Sequence, residues 1–375
     1  MARVAVVHNT LDLRGGADAV CLHACEALAR NHDVTLVTLS HPPLSELDAL
    51  FDTDAAGVDV VTPPAGRALG RVLAAAAPRV GPQLPARSAL LDRLLARRRG
   101  EFDLVVSTAN EFDVPGPSVQ YVHYPQFRAA ADDEGGLGNR LWSRLAVSDG
   151  LPDDARLLAN SSYTAAAVER RYGRTPSVLH PPVDPIEGAA EWPDREDGVV
   201  ILGRLAPDKR TLAALELVDR ARERGADLSV HVVGTAAPAY REYAERVAAA
   251  VAERPHARLH RDASRAELER LLTSNKYGLS AKPGEHFGMA VAEYVAAGMV
   301  AFAPDSGGQR DVLDGDPDRL YGSPAEGATL LAAAVERGDR PRRARDRFRH
   351  ERFHDRFRAV VRETLPDAAR RRHTT

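Results

Sequence analysis

Lysine is nearly missing from this chain. Only Lys209, Lys276 and Lys282 are present among 375 residues, and all three fall in the second half. Basic charge is therefore carried by arginine, and it is balanced: Lys+Arg 50 against Asp+Glu 53 leaves a formal net charge of −3. That balance provides no global field to gather nucleic acid. Cysteine is equally scarce. Cys21 and Cys25 are the two present, four apart on an expected helix. They exclude a disulfide framework and read as buried packing rather than as a metal or redox pair. No stretch approaches the ~20 apolar residues of a membrane span. The opening "MARVAVVHNT" begins with a short strand, too short for a signal peptide or anchor. These features lead us to expect a cytoplasmic protein, with peripheral contact at the inner membrane face as the sharper alternative. Gly-x-Gly-x-x-Gly after a strand is missing too, which argues against an NAD-dependent oxidoreductase.

What is present is a repeated α/β pattern. Hydrophobic residues make up 44% of the chain, enough for two cores in domains of roughly 150–190 residues. Runs 3–9, 33–39, 103–109, 118–124, 156–161 and 177–182 read as strands apolar on both faces, as in a parallel sheet covered by helices. Helices are expected between them, for instance Ala17–Arg30 and Tyr163–Tyr172. The Pro- and acid-rich stretch 181–198 reads as a linker. The pattern then restarts, with strands at 199–204, 228–234, 257–262, 277–282 and 300–304 and helices at about 209–224, 238–253 and 264–274. The expected organisation is a first α/β domain over 1–183, a second over 184–340, and an Arg-rich helical tail over 341–375 that packs back towards the first. Two Rossmann-like domains facing a cleft would bind ligands where strands end and helices begin.

Three stretches carry chemistry. In "GEHFGMAVAEYVAAG" (284–298), a strand runs into a loop holding Glu285, and a helix is expected to start near Phe287. Its free N–H groups and dipole make an anion site, and Gly288 allows close approach. Glu293 lies about six residues into that helix, roughly 9 Å along its axis, which is the span of a sugar, a diphosphate and a ribose. In "GRLAPDKR" (203–210), Gly203 and Arg204 end a strand and Lys209 begins the next helix. Two cations placed so can neutralise a diphosphate leaving group. In the first half, Gly15 and Gly16 follow the first strand and open a helix. Taken alone, each of these reads equally well as surface charge, turn glycine or ordinary helix face.

Together, "GRLAPDK", "GEHFGMAVAEYVAAGMV" and "DSGGQRDV" resemble the donor domain of glycosyltransferase family 4, retaining enzymes of the GT-B fold. "NSSYTAAAVERRYG" and "SVLHPPVD" resemble that family's passage into its second domain. "YVHYP", "NSSYT" and "EHFGMAVAEYVAAG" are most similar to the dolichol-pathway α-1,2-mannosyltransferases. The resemblance implies a nucleotide-sugar donor, GDP-mannose, and a glycan, lipid-linked or small-molecule hydroxyl acceptor. It implies that Arg204 and Lys209 hold the diphosphate and that Glu285 meets the sugar hydroxyls. Backbone groups of Phe287, Gly288 and Met289 would hold sugar or phosphate, and Glu293 the ribose. It further implies that Gly15 and Gly16 reach the donor, that His123 touches the transferred sugar, and that Asp262 beside Arg261 lies near the base.

No metal or other cofactor is expected. The acidic pieces 52–54, 132–134 and 314–318 read as turns and caps, and no carboxylate pair ends a donor-site strand. Helix 88–103 sets Leu90, Leu91, Leu94 and Leu95 against Arg87, Arg93, Arg97, Arg98 and Arg99. It reads as a packed amphipathic helix, or more sharply as a surface for anionic lipid. Two rival readings stay open: the same fold using a UDP-sugar, and a non-catalytic sugar-nucleotide-binding subunit.

Overall fold

The computed structural model describes residues 1–12, 14–40, 43–62, 91, 93–112, 114, 116–125, 151–367 and 369. Leu90, Arg87, the acidic run 132–134 and the last arginines of the tail lie outside them, and so does the side chain of Arg99. The chain divides into two compact units, Met1–Pro182 with His350–Thr375, and Val183–Arg349.

Among the described residues, the first unit holds a seven-stranded parallel sheet ordered β3-β2-β1-β4-β5-β6-β7. Its strands are β1 (Arg3–His8), β2 (Asp33–Thr38), β3 (Asp59–Val61), β4 (Leu104–Ser107), β5 (Ser118–Val122), β6 (Arg156–Ala159) and β7 (Ser177–Val178). Val-rich central strands are buried along their length because helices cover them. Among these helices are α1 (Gly16–Ala29), α2 (Leu44–Phe51) and α3 (Ser162–Tyr172). Ser161 starts α3 by accepting a hydrogen bond from the Thr164 N–H, and Gly173 ends it in the left-handed region. Cys21 and Cys25 are free and buried within the core of this unit. Leu91 and Leu95 are buried against β1 and β2 residues Val7 and Val37, while Arg93 and Arg97 are exposed. The amphipathic packing read from that helix is thus met over its described part.

The second unit repeats the plan with six parallel strands ordered β10-β9-β8-β11-β12-β13. They are β8 (Glu196–Leu202), β9 (Ser229–Gly234), β10 (Ala257–Arg261), β11 (Asn275–Leu279), β12 (Val300–Pro304) and β13 (Leu320–Tyr321). Around them lie α4 (Thr211–Glu223), α5 (Arg241–Ala252), α6 (Arg265–Ser274), α7 (Met289–Ala296), α8 (Gln309–Val312) and α9 (Pro324–Arg337).

The Arg-rich segment from 340 is split between the units. Its first part is less solvated than composition suggests. The Arg345 Nε donates to the Ala296 carbonyl at 2.9 Å, and Arg343 bonds Asp316 at 2.9 Å. Buried Arg195 donates to the Ala297 and Gly298 carbonyls at 2.9 and 3.0 Å. Cations thus occupy the C-terminal end of α7, where the helix dipole favours them. The acidic turn 314–318 is held the same way, by Arg343 and Arg347. Helix α10 (His350–Thr364) belongs to the first unit, with Phe353, Phe357 and Val361 buried in its core at four-residue spacing.

Candidate functional site

The second unit gathers its charged groups where β8 and β11 end. Gly203 follows β8, and its carbonyl would lie 2.0 Å from any Cβ at Gly234. A side chain at Gly234 is therefore excluded, and the two strand ends close on each other. The Gly203 N–H donates to Val233 O at 3.0 Å and the Leu205 N–H to Thr235 O at 2.8 Å. This fixes the loop that leads through Arg204 into a single 3-10 turn, Pro207–Lys209. Arg210, at φ 53, then turns the chain into α4.

Lys209 ends that turn with its Nζ 2.7 Å from Glu285 Oε2. Lys282 Nζ lies 3.7 Å from the other Glu285 oxygen and 3.1 Å from Asp208. The exposed Arg204 stands 3.7 Å from Asp208. Two lysines, one arginine and two carboxylates thus form one connected array. Burial opposes ionisation of Glu285, but Lys209 and then Lys282 outweigh it and hold its carboxyl below the usual carboxylate range. His286 responds in the opposite sense. Burial, against the pull of Glu285 and with repulsion from Lys282 and Lys209, lowers its pKa to about 4. Its imidazole is therefore neutral at pH 7.

The loop that carries Glu285 is fastened by the 306–309 segment. The Ser306 hydroxyl accepts from the Gly284 N–H at 3.0 Å, and the Glu285 carbonyl accepts from Gly308 N–H at 2.7 Å. Gly307, at φ +78, has no room for a Cβ, which would meet the Glu285 carbonyl at 2.4 Å. Buried Gln309 donates to the Lys282 and Pro304 carbonyls at 3.1 and 3.0 Å.

Helix α7 starts at Met289, not near Phe287, because Gly288 takes φ 104 and caps it. Glu293 is therefore four residues beyond the first helical residue, a rise of roughly 6 Å rather than 9 Å. Burial raises its pKa against the opposing charge of Arg265, whose Nη1 lies 3.6 Å away. Tyr294 ties this helix to the first loop. Its hydroxyl accepts from Leu202 N–H at 2.7 Å and donates to Leu279 O at 3.3 Å. Its ring covers Gly278, where a Cβ would meet it at 2.2 Å.

Asp262 is exposed at φ 52 after β10, and its N–H donates to Gly234 O at 3.1 Å. Arg261 bonds Glu245 at 3.0 Å. The array around Glu285 is made of Arg204, Asp208, Lys209 and Lys282, whereas Arg261 and Asp262 bond to Glu245 and Gly234.

In the first unit, Gly15 caps α1, and its N–H is donated to Asp18 at 3.1 Å. That commitment narrows the expected backbone contact to Gly16. The other Asp18 oxygen faces His8 Nε2 at 3.0 Å. His123 follows β5. Asn110, at φ 73, accepts from the His123 and Tyr124 N–H groups at 2.6 and 3.0 Å. Asn160 and Thr164 both donate to the His123 carbonyl at 3.1 Å. The ring Nε2 lies 3.1 Å from the Thr108 carbonyl. A carbonyl can only accept, so Nε2 carries the proton. Sequence reasoning missed Asn110, His286, Lys282 and Tyr294. Lys282 and His286 flank Glu285 so closely that chain distance alone could have flagged them.

Two parallel-sheet units, with cations and a carboxylate at strand ends before a helix N-terminus, define a fold for binding anionic ligands. Two family models divide most of the chain between them, Glycosyltransferase Family 4 over residues 14–187 and Glycosyl transferases group 1 over 184–338. The chain belongs to glycosyltransferase family 4, and its fold is GT-B. It is 27% identical over 164 residues to a GDP-Man:Man(3)GlcNAc(2)-PP-Dol alpha-1,2-mannosyltransferase of Eremothecium gossypii, covering 40% of this chain and 28% of that protein. It is 24% identical over 264 residues to the protein of the same name from Neurospora crassa, covering 55% and 47%. The chain thus matches less than half the length of either relative. The crystal structure of Anabaena HepE in complex with UDP and glucose aligns over 97% of this chain and 100% of that one, with a TM-score of 0.69 and 14% identity. That likeness is one of fold.

Proposed function

We propose that the chain transfers a hexose, mannose from GDP-mannose, to a hydroxyl of a glycan, lipid-linked or small-molecule acceptor with retention of configuration. The observation that carries this reading is the Lys209–Glu285 pair at 2.7 Å beside the N-terminus of α7. Glu285 is kept ionised there to accept from sugar hydroxyls. On donor binding Lys209 turns to the diphosphate together with Arg204, and the N–H groups after Phe287 and Gly288 complete the anion site. The bond from the sugar's anomeric carbon to phosphate oxygen breaks as the acceptor oxygen attacks from the same face. The acceptor proton passes to the departing phosphate. Neutral His286 beside Glu285 adds a polar group without adding positive charge. Glu293 serves the ribose, its carboxyl raised by burial against the opposing charge of Arg265. Gly16 and His123 keep the roles that the resemblance implies for them.

Charge on the leaving group is met by side chains and backbone in this scheme, so a metal is not needed. The donor sugar follows the names of the two curated relatives. A UDP-sugar is the second reading, and retention of Arg204, Lys209 and Glu285 weighs against a non-catalytic subunit. A thermal-shift panel of nucleotides and nucleotide sugars, with and without EDTA, tests this. A ligand that binds only the folded state raises Tm with its excess over Kd. Selective shifts by GDP and GDP-mannose that EDTA leaves unchanged support the proposal. Shifts by UDP-sugars alone would replace the mannosyl reading, and no shift by any nucleotide would overturn the donor site.

A further inference from the structure

Helices α1 and α10 bring together a group of imidazoles that the transfer chemistry does not use. His23 Nδ1 lies 3.3 Å from His354 Nε2, across 331 residues of sequence. Glu26 Oε2 lies 3.9 Å from the former and 4.0 Å from the latter. We propose that His23, Glu26 and His354 bind a divalent transition-metal ion of the zinc type, which fastens α10 onto α1.

Bond lengths support this. Zinc–nitrogen bonds of 2.0–2.1 Å in a tetrahedron put two ligand nitrogens about 3.3–3.4 Å apart, which is the separation of the two imidazole nitrogens. The carboxylate oxygen needs to approach by only about half an ångström to complete a third corner. The competing arrangement, an imidazole–imidazole hydrogen bond, joins one edge of this triangle. The other two edges, 3.9 and 4.0 Å, exceed hydrogen-bond reach, whereas one ion would bridge all three corners.

The surroundings suit an ion. Both histidines are buried, among core residues such as Leu22 and Phe357. Glu26 is braced from outside by Arg30 at 3.3 Å on its other oxygen and by the Asp54 N–H at 3.4 Å. Such outer contacts orient a ligating carboxylate. Two nitrogens and one carboxylate favour zinc over the hard cations. His350 lies one turn before His354. Its ring stacks on His23 at 5.9 Å, and its side chain is 28% exposed.

The run "HERFH" (350–354) also matches the H-E-x-x-H spacing of metalloproteases. Glu351, however, is 58% exposed and lies 3.6 Å from His350 Nε2, so it is spent on its neighbour at the surface. The arrangement reads as a structural clip, not as a hydrolase.

The test uses the full-length chain stripped with a chelator and dialysed free of it. Co²⁺ is added while visible absorption is followed, and Zn²⁺ while Tm is followed. One equivalent of Co²⁺ is expected to give the intense bands of a tetrahedral nitrogen/oxygen site, which zinc then displaces, and zinc should raise Tm. His23→Gln and His354→Gln should each remove the bands and the gain in Tm. Loss of a direct ligand should weaken binding beyond the about 10–100-fold that outer contacts cost. The wild-type cobalt titration needs no variant, so a poorly folding substitution does not block the test. Lack of stoichiometric cobalt binding in the wild type, or tetrahedral bands that persist in both variants, would overturn the proposal. Nucleotide-induced shifts report the other unit, so either reading can fail alone.

Discussion

Lys209→Met separates the proposed chemistry from stability. Lys209 and Glu285 are 2.7 Å apart with side chains 24% and 19% exposed, so removing the cation leaves a largely buried carboxylate short of a partner. Orphaning such a group costs about 1–3 kcal/mol. Lys282, 3.7 Å from the other oxygen, keeps part of the compensation, and we expect a loss at the lower end, about 1–2 kcal/mol. For a unit of this size that lowers Tm by about 2–8 °C. The transition state should suffer more. Removing one preorganised charge-stabilising group typically costs about 10²–10³ in kcat, or about 2.7–4 kcal/mol. The assay is release of nucleoside diphosphate from the donor chosen by the thermal-shift panel, with melting and urea unfolding in parallel. Adding Glu285→Gln to the single variant removes the orphaned charge. Stability should then recover to within about 1 kcal/mol of wild type, while turnover stays as low as in the single variant or falls further. A Lys209→Met enzyme with the expected loss of Tm but turnover within tenfold of wild type would refute the role given to Lys209. So would a double variant that regains activity along with stability.

His286 gives a pH signature. Its folded pKa is about 4 against an ordinary 6.5, so between those values the unfolded chain takes the proton first and stability falls as pH drops. His286→Gln should flatten part of the Tm decline between pH 6.5 and 4, and identical profiles for the two proteins would sink this. Gly278→Ala drives a methyl into the Tyr294 ring at 2.2 Å; overpacking of this kind costs about 1–3 kcal/mol or more. Urea unfolding should show it, together with weaker nucleotide shifts, and unchanged values would show that the ring is free to move. Asn110→Ala leaves the His123 and Tyr124 amides without their acceptor, a loss of about 1–3 kcal/mol. If His123 serves transfer, kcat should fall by more than the nucleotide Kd changes, and an unaltered kcat would leave Asn110 with a structural role alone.

Strand positions were legible because each strand is a short apolar run between polar turns, and the observed cores of β1, β2, β8 and β12 lie within the expected runs. The outer strands β3 and β13 were not expected, since two or three residues carry no periodicity; β7, equally short, was legible because it opens the apolar run 177–182. The donor pieces were visible as local motifs, but their assembly was not. That Lys209 reaches Glu285, across 76 residues, depends on Gly234 and Gly278 being bare enough for strand ends and Tyr294 to close. Nothing local marks either glycine. The tail was expected to pack as a whole towards the first domain, but its arginines up to 347 cap α7 and hold the 314–318 turn, and only α10 joins the first unit. The His350 and His354 spacing is plain in the sequence, yet its meaning depends on His23, 331 residues away.

The site's geometry is set mainly by backbone, and this bears on how it can work. Glu285 is placed by the Gly308 N–H on its carbonyl, by Ser306 on the neighbouring amide, and by the bare Cα of Gly307 beneath it. Lys209 is placed by its own 3-10 turn, whose amide bonds to Ala206 at 3.0 Å. The backbone that carries each side chain is thus fixed without the ion pair. In the proposed transfer, that pair is a contact that a diphosphate and sugar would replace without moving either loop. Charge stabilisation is most effective where the dipoles and charges are already aimed and need not reorganise as the bond breaks. A pair held apart from its own supports satisfies that condition, whereas a pair that itself held the loops together would collapse when a ligand divided it.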